Sequence, residues 1–190
     1  MLKNTILMAH PDDEIIFGWP VLKEAQKIII CSSDLNNPER AWCKDRKKAL
    51  KEVCELLGKE MVCLDYNSEF YRMPTRDESL KKMALDIQKE IVGQVFTHNP
   101  WGEYGHLDHI LINLLAKQKT DVFYSDIALE INWLPIKKVH SGVFVREVDN
   151  DLELYNKCKA IYDKYGCWTW SLEPVLKAKI YYDNSNGLQQ

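Results

Sequence analysis

Short apolar runs alternate with helix-like stretches along almost all of this chain, and that alternation constrains the fold more than any single motif. NTILMAH (4–10), KIIICSS (27–33), MVCLDY (61–66) and VFTHNP (95–100) read as strands. Between them, RAWCKDRKKALKEVCELLG (40–58) places Ala49, Val53, Leu56 and Leu57 at helical spacing, with Gly58 as a stop signal. RDESLKKMALDIQKEIVGQ (76–94) puts Leu80, Met83, Ile87 and Ile91 on one helical face. HILINLLAKQ and LELYNKCKAIYDKY read as later helices, and DVFYSDIAL, SGVFVREV and KAKIYY as later strands. PDDEIIFGWPVLKEAQ is irregular or helical, with Pro11 at a first helical position. Strand–helix alternation predicts an α/β protein, a Rossmann-like three-layer fold around a mostly parallel sheet. The 190 residues suit one domain spanning 1–190, with NSNGLQQ frayed at the end.

That architecture gives two distant loops a common address. In open α/β sheets ligands bind beyond the carboxyl ends of the strands, where the strand order reverses. In the Rossmann order that point lies between the first and fourth strands. AHPDDE leaves the first strand and THNPWGEYGHLDH leaves the fourth. The two loops pool His10, Asp12, Asp13 and Glu14 with His98, Glu103, His106, Asp108 and His109.

Histidines with carboxylates are the ligands of catalytic Zn²⁺ sites, and the same set accepts Fe²⁺. His106 and His109 are three apart, as are His10 and Asp13, so each pair can share a face at a helix start. A metal brings the pKa of water to about 7, a spare carboxylate can act as general base, and a spare histidine can steady an oxyanion or protonate a leaving amine. The implied chemistry is metal-assisted hydrolysis of an amide or ester. Taken alone, Asp12 and Asp13 would equally suit a helix N-terminus, and HLDH is short enough to arise by chance.

Other classes fit less well. The net charge of −3 gives no global case for nucleic acid or an anionic membrane. No apolar run reaches the roughly 18 residues of a membrane helix, and no signal peptide is expected, so the expected compartment is the cytoplasm. The six cysteines form no CxxC pair, and free thiols are expected, with Cys31 and Cys63 filling strand positions. The first strand lacks the glycine turn of a dinucleotide site, and Asp12 and Asp13 would repel a pyrophosphate.

AHPDDE after a first strand, followed by GHLDH, resembles the PIG-L/LmbE-like family of zinc-dependent de-N-acetylases. DRKKALKEVCELLG is similar to the family's Arg-bearing helix with its Leu-Gly ending, and the resemblance runs to about Leu115. It implies removal of the N-acetyl group from a GlcNAc-type amino sugar, free, nucleotide-, glycoside- or lipid-linked. By resemblance, His10, Asp13 and His109 are metal ligands and Asp12 is the general base. His106 steadies the oxyanion or protonates the amine, Asp108 orients His106 and holds its charged form, and Glu14 gives outer support. Arg46 would hold a substrate hydroxyl or phosphate. Trp101, Glu103 and Tyr104 flank the metal loop as candidate substrate contacts, and Asn99 is expected to form the turn before Pro100. Tyr162, Tyr165, Trp168 and Trp170 are core anchors or, alternatively, a stacking platform for a sugar. The competing readings are a metal-dependent amidase or esterase on a non-sugar substrate, and a non-catalytic Rossmann-like binding module.

Overall fold

The computed structural model describes residues 4–33, 43–69, 76–129, 142–167 and 174–184. Strands β1 (Asn4–Met8) and β2 (Lys27–Ser32) form the centre of the sheet. Both are buried almost throughout, which is why they read as continuous apolar runs rather than alternating ones. Their side chains nevertheless divide by parity. Ile6, Met8, Ile28 and Ile30 enter one core, whereas Leu7, Ala9, Ile29 and Cys31 enter the other.

Helix α1 (Asp13–Ile16) is a single turn after β1, followed by a 3₁₀ turn at Trp19–Val21. The first core lies under helix α2 (Cys43–Leu57), through Ala49, Leu50, Val53 and Cys54. Gly58 ends α2 at φ 63°, where a residue bearing a Cβ would be strained. Strand β3 (Glu60–Tyr66) follows, then helix α3 (Arg76–Glu90), whose Met83 and Ile87 enter the second core, with Leu80 and Ile91 packed at its edge. Strand β4 (Gln94–Thr97), the short turn α4 (Gly102–Gly105), helix α5 (Leu107–Lys117) and strand β5 (Val122–Ser125) complete the parallel part. Ile112, Leu115 and Ala116 of α5 join Met83 and Ile87, so α3 and α5 cover the second face.

Strand β6 (Val143–Asp149), helix α6 (Leu152–Lys164) and strand β7 (Lys177–Asp183) close the chain. The seven-stranded sheet has the order β3-β2-β1-β4-β5-β7-β6, with β1 to β5 parallel. The fold is the Rossmann-like α/β arrangement that the alternation implies. Strand β7 runs antiparallel to both of its neighbours, β5 and β6, with Phe123 opposite Tyr182 and Phe144 opposite Tyr181. Edge strand β6 exposes Val143 at 71% and Phe144 at 54%, a one-sided environment that antiparallel strands tolerate. Cys31, Cys54, Cys63, Cys158 and Cys167 are free thiols. Among the described residues no helix is long and apolar enough to cross a membrane.

The turn after β1 differs from expectation. Helix α1 begins at Asp13, so Pro11 lies outside it and Asp12 is the residue before the first helical position. A four-residue helix has little macrodipole, which removes that explanation for two adjacent aspartates. The turn is closed by Gly18, whose added Cβ would meet the Glu14 backbone oxygen at 2.6 Å. Gly18→Ala is therefore expected to destabilise the protein by about 1–3 kcal/mol, seen as a lower urea midpoint at unchanged m-value.

Candidate metal centre

β1 pairs with β4 in parallel, Leu7 opposite Thr97, so the loops that follow the two strands emerge side by side. A buried hydrogen bond joins them: the Ala9 backbone N–H donates to His98 Nε2 at 2.9 Å. Asn99 does more than turn the chain. Its amide donates to the carbonyl oxygens of Ser125 (3.3 Å) and Ile127 (2.7 Å), and its Oδ1 accepts from Glu103 N–H at 2.9 Å. The β4 loop is thereby tied to the end of β5. Asn113 of α5 adds a 2.7 Å bond to the His98 carbonyl.

Three donor atoms meet where the loops converge. His10 Nδ1 lies 3.3 Å from Asp13 Oδ2, Asp13 Oδ2 lies 3.4 Å from His109 Nε2, and His109 Nε2 lies 3.3 Å from His10 Nδ1. Ligand atoms set about 2.0–2.1 Å from a tetrahedral Zn²⁺ stand about 3.3 Å apart, so this near-equilateral triangle fits such an ion. Two further groupings of metal-type donors share His109: His10 with His106, and Asp13 with His98. Hydrogen bonding disfavours both. His98 Nε2 already accepts from Ala9 N–H, and His106 Nδ1 accepts from Asp108 N–H at 3.2 Å.

Each triangle imidazole is backed by a carboxylate, and here the structure corrects two expectations. Asp108 does not orient His106 with its side chain. Its Oδ2 faces His10 Nε2 at 3.1 Å and also accepts from Glu69 N–H at 2.7 Å. Glu103, expected to face substrate, is 1% exposed; its Oε2 meets His109 Nδ1 at 2.7 Å and His98 Nδ1 at 3.1 Å. A carboxylate only accepts, so it fixes the proton on the outer nitrogen and leaves the inner nitrogen of the neutral ring bare. The same logic gives His106 a different state. With Nδ1 accepting at the N-cap of α5, its proton sits on Nε2. Burial pushes His106 down to about 3, with His109 and His10 adding to the fall, so it is a neutral donor rather than the cation expected.

The remaining acids differ in their surroundings. Burial opposes charge on Asp13, but His109, His10 and His98 outweigh it and hold the carboxyl well below the usual range. Burial also opposes charge on His10, yet Asp108 and Asp13 push the ring up to about 9, so a bound ion would displace a proton from Nδ1 to leave the neutral ring. Neighbouring histidines likewise overcome burial at Glu103 and hold it down to about 2. Asp12 is the contrasting case: burial pushes it up to about 6, against the pull of Arg46. The Arg46 guanidinium donates directly to Asp12 Oδ2. Glu14, pushed up to about 8 by burial, accepts from Asp12 N–H at 2.9 Å and from the Tyr162 hydroxyl at 2.6 Å.

The other expected contacts divide. Tyr104 is partly buried beside the centre, its ring 5.5 Å from those of His106 and His109. Trp101 is 6% exposed and packs edge-on to Tyr124, which makes it a core residue rather than a substrate contact. Tyr162 is fully buried, so it offers no stacking face, and the Tyr165 hydroxyl bonds Glu52 of α2. Trp168 and Trp170 lie outside the described residues. Neither the outer role of Glu103 nor the part played by His98 was signalled by local spacing.

A family model described as GlcNAc-PI de-N-acetylase (PIG-L) matches residues 5–119. An uncharacterized protein, L374, of Acanthamoeba polyphaga mimivirus is 29% identical over 127 residues, 58% of this chain and 54% of its own length. The chain therefore spans about half the length of that curated relative. Among solved structures, the N,N'-diacetylchitobiose deacetylase of Pyrococcus horikoshii aligns with TM-score 0.59 at 18% identity, covering 88% of this chain and 71% of that one. The A40926 pseudoaglycone deacetylase Dbv21 gives 0.63 at 12%, covering 95% and 96%. GalB, the 4-carboxy-2-hydroxymuconate hydratase of Pseudomonas putida KT2440, gives 0.55 at 14%, covering 96% of each chain. Such identities establish the fold, and a deacetylase and a hydratase share it. With the family model covering more than half of its length, both motif loops included, the chain belongs to the GlcNAc-PI de-N-acetylase (PIG-L) family.

Proposed function

We propose that the chain is a divalent-metal-dependent de-N-acetylase acting on an N-acetylated amino sugar. The observation that carries this is the His10–Asp13–His109 triangle with edges of 3.3–3.4 Å, with Asp12 beside it and outside it. The sugar part of the proposal rests on the family's description and on the diacetylchitobiose deacetylase among the structural neighbours.

His10, Asp13 and His109 would hold the ion, Zn²⁺ or Fe²⁺. When bound, either ion supplies Lewis acidity that brings the pKa of water to about 7. Asp12, its carboxylate oriented by Arg46, takes the proton from the attacking water and returns it to the amine nitrogen as the C–N bond breaks and acetate leaves. His106 donates its Nε2–H to the carbonyl oxygen as negative charge develops, a role that needs no imidazolium. Asp108 and Glu103 keep the protons of His10 and His109 on the outer nitrogens. Tyr104 is the aromatic group placed to meet the sugar or its acetyl group. The five free thiols among the described residues, all buried or half-buried, suit a reducing compartment, and action in the cytoplasm is part of the proposal.

Acetate release from GlcNAc, a UDP-linked form and a glycoside should stop on chelation and return with Zn²⁺ or Fe²⁺. Metal-loaded protein that releases no acetate from any of them, but cleaves simple amides or esters, would move the substrate away from sugars. Variants separate the roles within the centre. Asp12→Ala and His106→Ala should keep the metal while turnover falls about 10²–10⁴-fold. Glu103→Ala should weaken metal binding by about 10–100-fold, measured by competition with a chromogenic chelator. Full metal affinity in Glu103→Ala would show that the outer carboxylate does not organise the site.

A further inference from the structure

Glu14 is a fully buried acid that the proposed reaction does not use. Its two oxygens have separate partners. Oε2 accepts from the Asp12 backbone N–H at 2.9 Å, and Oε1 accepts from the Tyr162 hydroxyl at 2.6 Å. Asp12 itself has φ 98° and ψ −26°, in the left-handed region where a side chain is strained. Such a conformation persists only when its surroundings over-determine it. Two helices do so here. Arg46 of α2 grips the Asp12 carboxylate, and Tyr162 of α6 braces the acid that grips the Asp12 backbone. Tyr162 is 0% exposed and packs in the same core as Leu50, Val53 and Cys54 of α2. It stands 148 residues from Glu14 and beyond residue 119, where the family match ends.

We propose that Tyr162 is a positioning residue of the active site, acting through Glu14 to hold Asp12 in its left-handed turn and so aim the base. The inference rests on Asp12 acting as the base. Only the hydroxyl matters to it, since phenylalanine would fill nearly the same volume. A buried O–H donating to a carboxyl oxygen is a directional bond, and without it Oε1 has lost its donor. The carboxyl group is then free to turn away from Asp12 N–H.

A double-mutant cycle tests this on metal-loaded protein. Tyr162→Phe should lower kcat by about tenfold while KM and metal affinity stay within about twofold. In Tyr162→Phe/Glu14→Gln, turnover should be no slower than in Glu14→Gln alone, because both changes break one chain of contacts. Losses that multiply, or a Tyr162→Phe variant with wild-type kcat, would overturn the proposal. Cys158→Ala, a core change on the same helix, should lower the melting temperature and spare kcat. An equal loss of kcat in Cys158→Ala would assign the effect to helix packing and overturn the role of the hydroxyl. Amide exchange keeps the test independent of substrate. In Tyr162→Phe the Asp12 amide should exchange about tenfold faster, with β1 amides unchanged. Unchanged Asp12 exchange would refute the brace. A wild-type protein that turns over no N-acetyl sugar would instead sink the deacetylase reading, with the exchange result still decisive for Tyr162.

Discussion

Glu103 Oε2 receives two imidazole nitrogens at once, His109 Nδ1 at 2.7 Å and His98 Nδ1 at 3.1 Å. The centre depends on that shared acceptor. It fixes the tautomer of both rings, which stack with centroids 3.8 Å apart. For His109 the result is a bare Nε2 facing His10 and Asp13. For His98 it is a bare Nε2 that accepts from Ala9 and binds the β1 loop to the β4 loop. One oxygen thus couples the shape of the ligand triangle to the docking of the two loops. Its own placement comes from Asn99, which exchanges hydrogen bonds with the Glu103 backbone and side chain and reaches across to β5.

The two aspartates of the first loop are adjacent in sequence and opposite in environment. Asp13 faces three imidazoles, and their combined pull outweighs burial. Asp12 faces one guanidinium, and burial wins. Neighbouring carboxylates whose environments drive them apart can take different jobs in one reaction, one holding charge and the other handling a proton. Asp12 turns left-handed at φ 98° and its carboxylate meets Arg46, while that of Asp13 meets the imidazoles.

Much of this was legible in the residues. Continuous apolar runs in β1 and β2 announce strands buried on both faces, and strand–helix alternation implies the β1–β4 neighbourhood that joins the two loops. What could not be read is which side chain reaches which across the gap. By resemblance Asp108 orients His106, two residues before it, but its carboxylate serves His10, 98 residues away. Glu103 lies six residues before His109 in a kinked turn with φ 55°, a geometry that no periodicity describes. The reversal of β7 was hidden for a related reason. A strand, a helix and another strand look alike whether the second strand enters the sheet parallel or antiparallel, and the exposed edge at β6 removes the double burial that would have decided it.

The antiparallel strand β7 also bears on what counts as the functional unit. It covers the far side of β5, and its Asp183 takes the nearly buried Lys117 of α5 as a partner at 2.7 Å. Every residue of the triangle lies within residues 5–119, yet β5, β7 and α6 all lie beyond that segment. A transplant of the motif-bearing segment into another scaffold would carry the chemistry without its buttress. The two motif loops are local inheritance, whereas their rigidity is supplied by the remainder of the polypeptide.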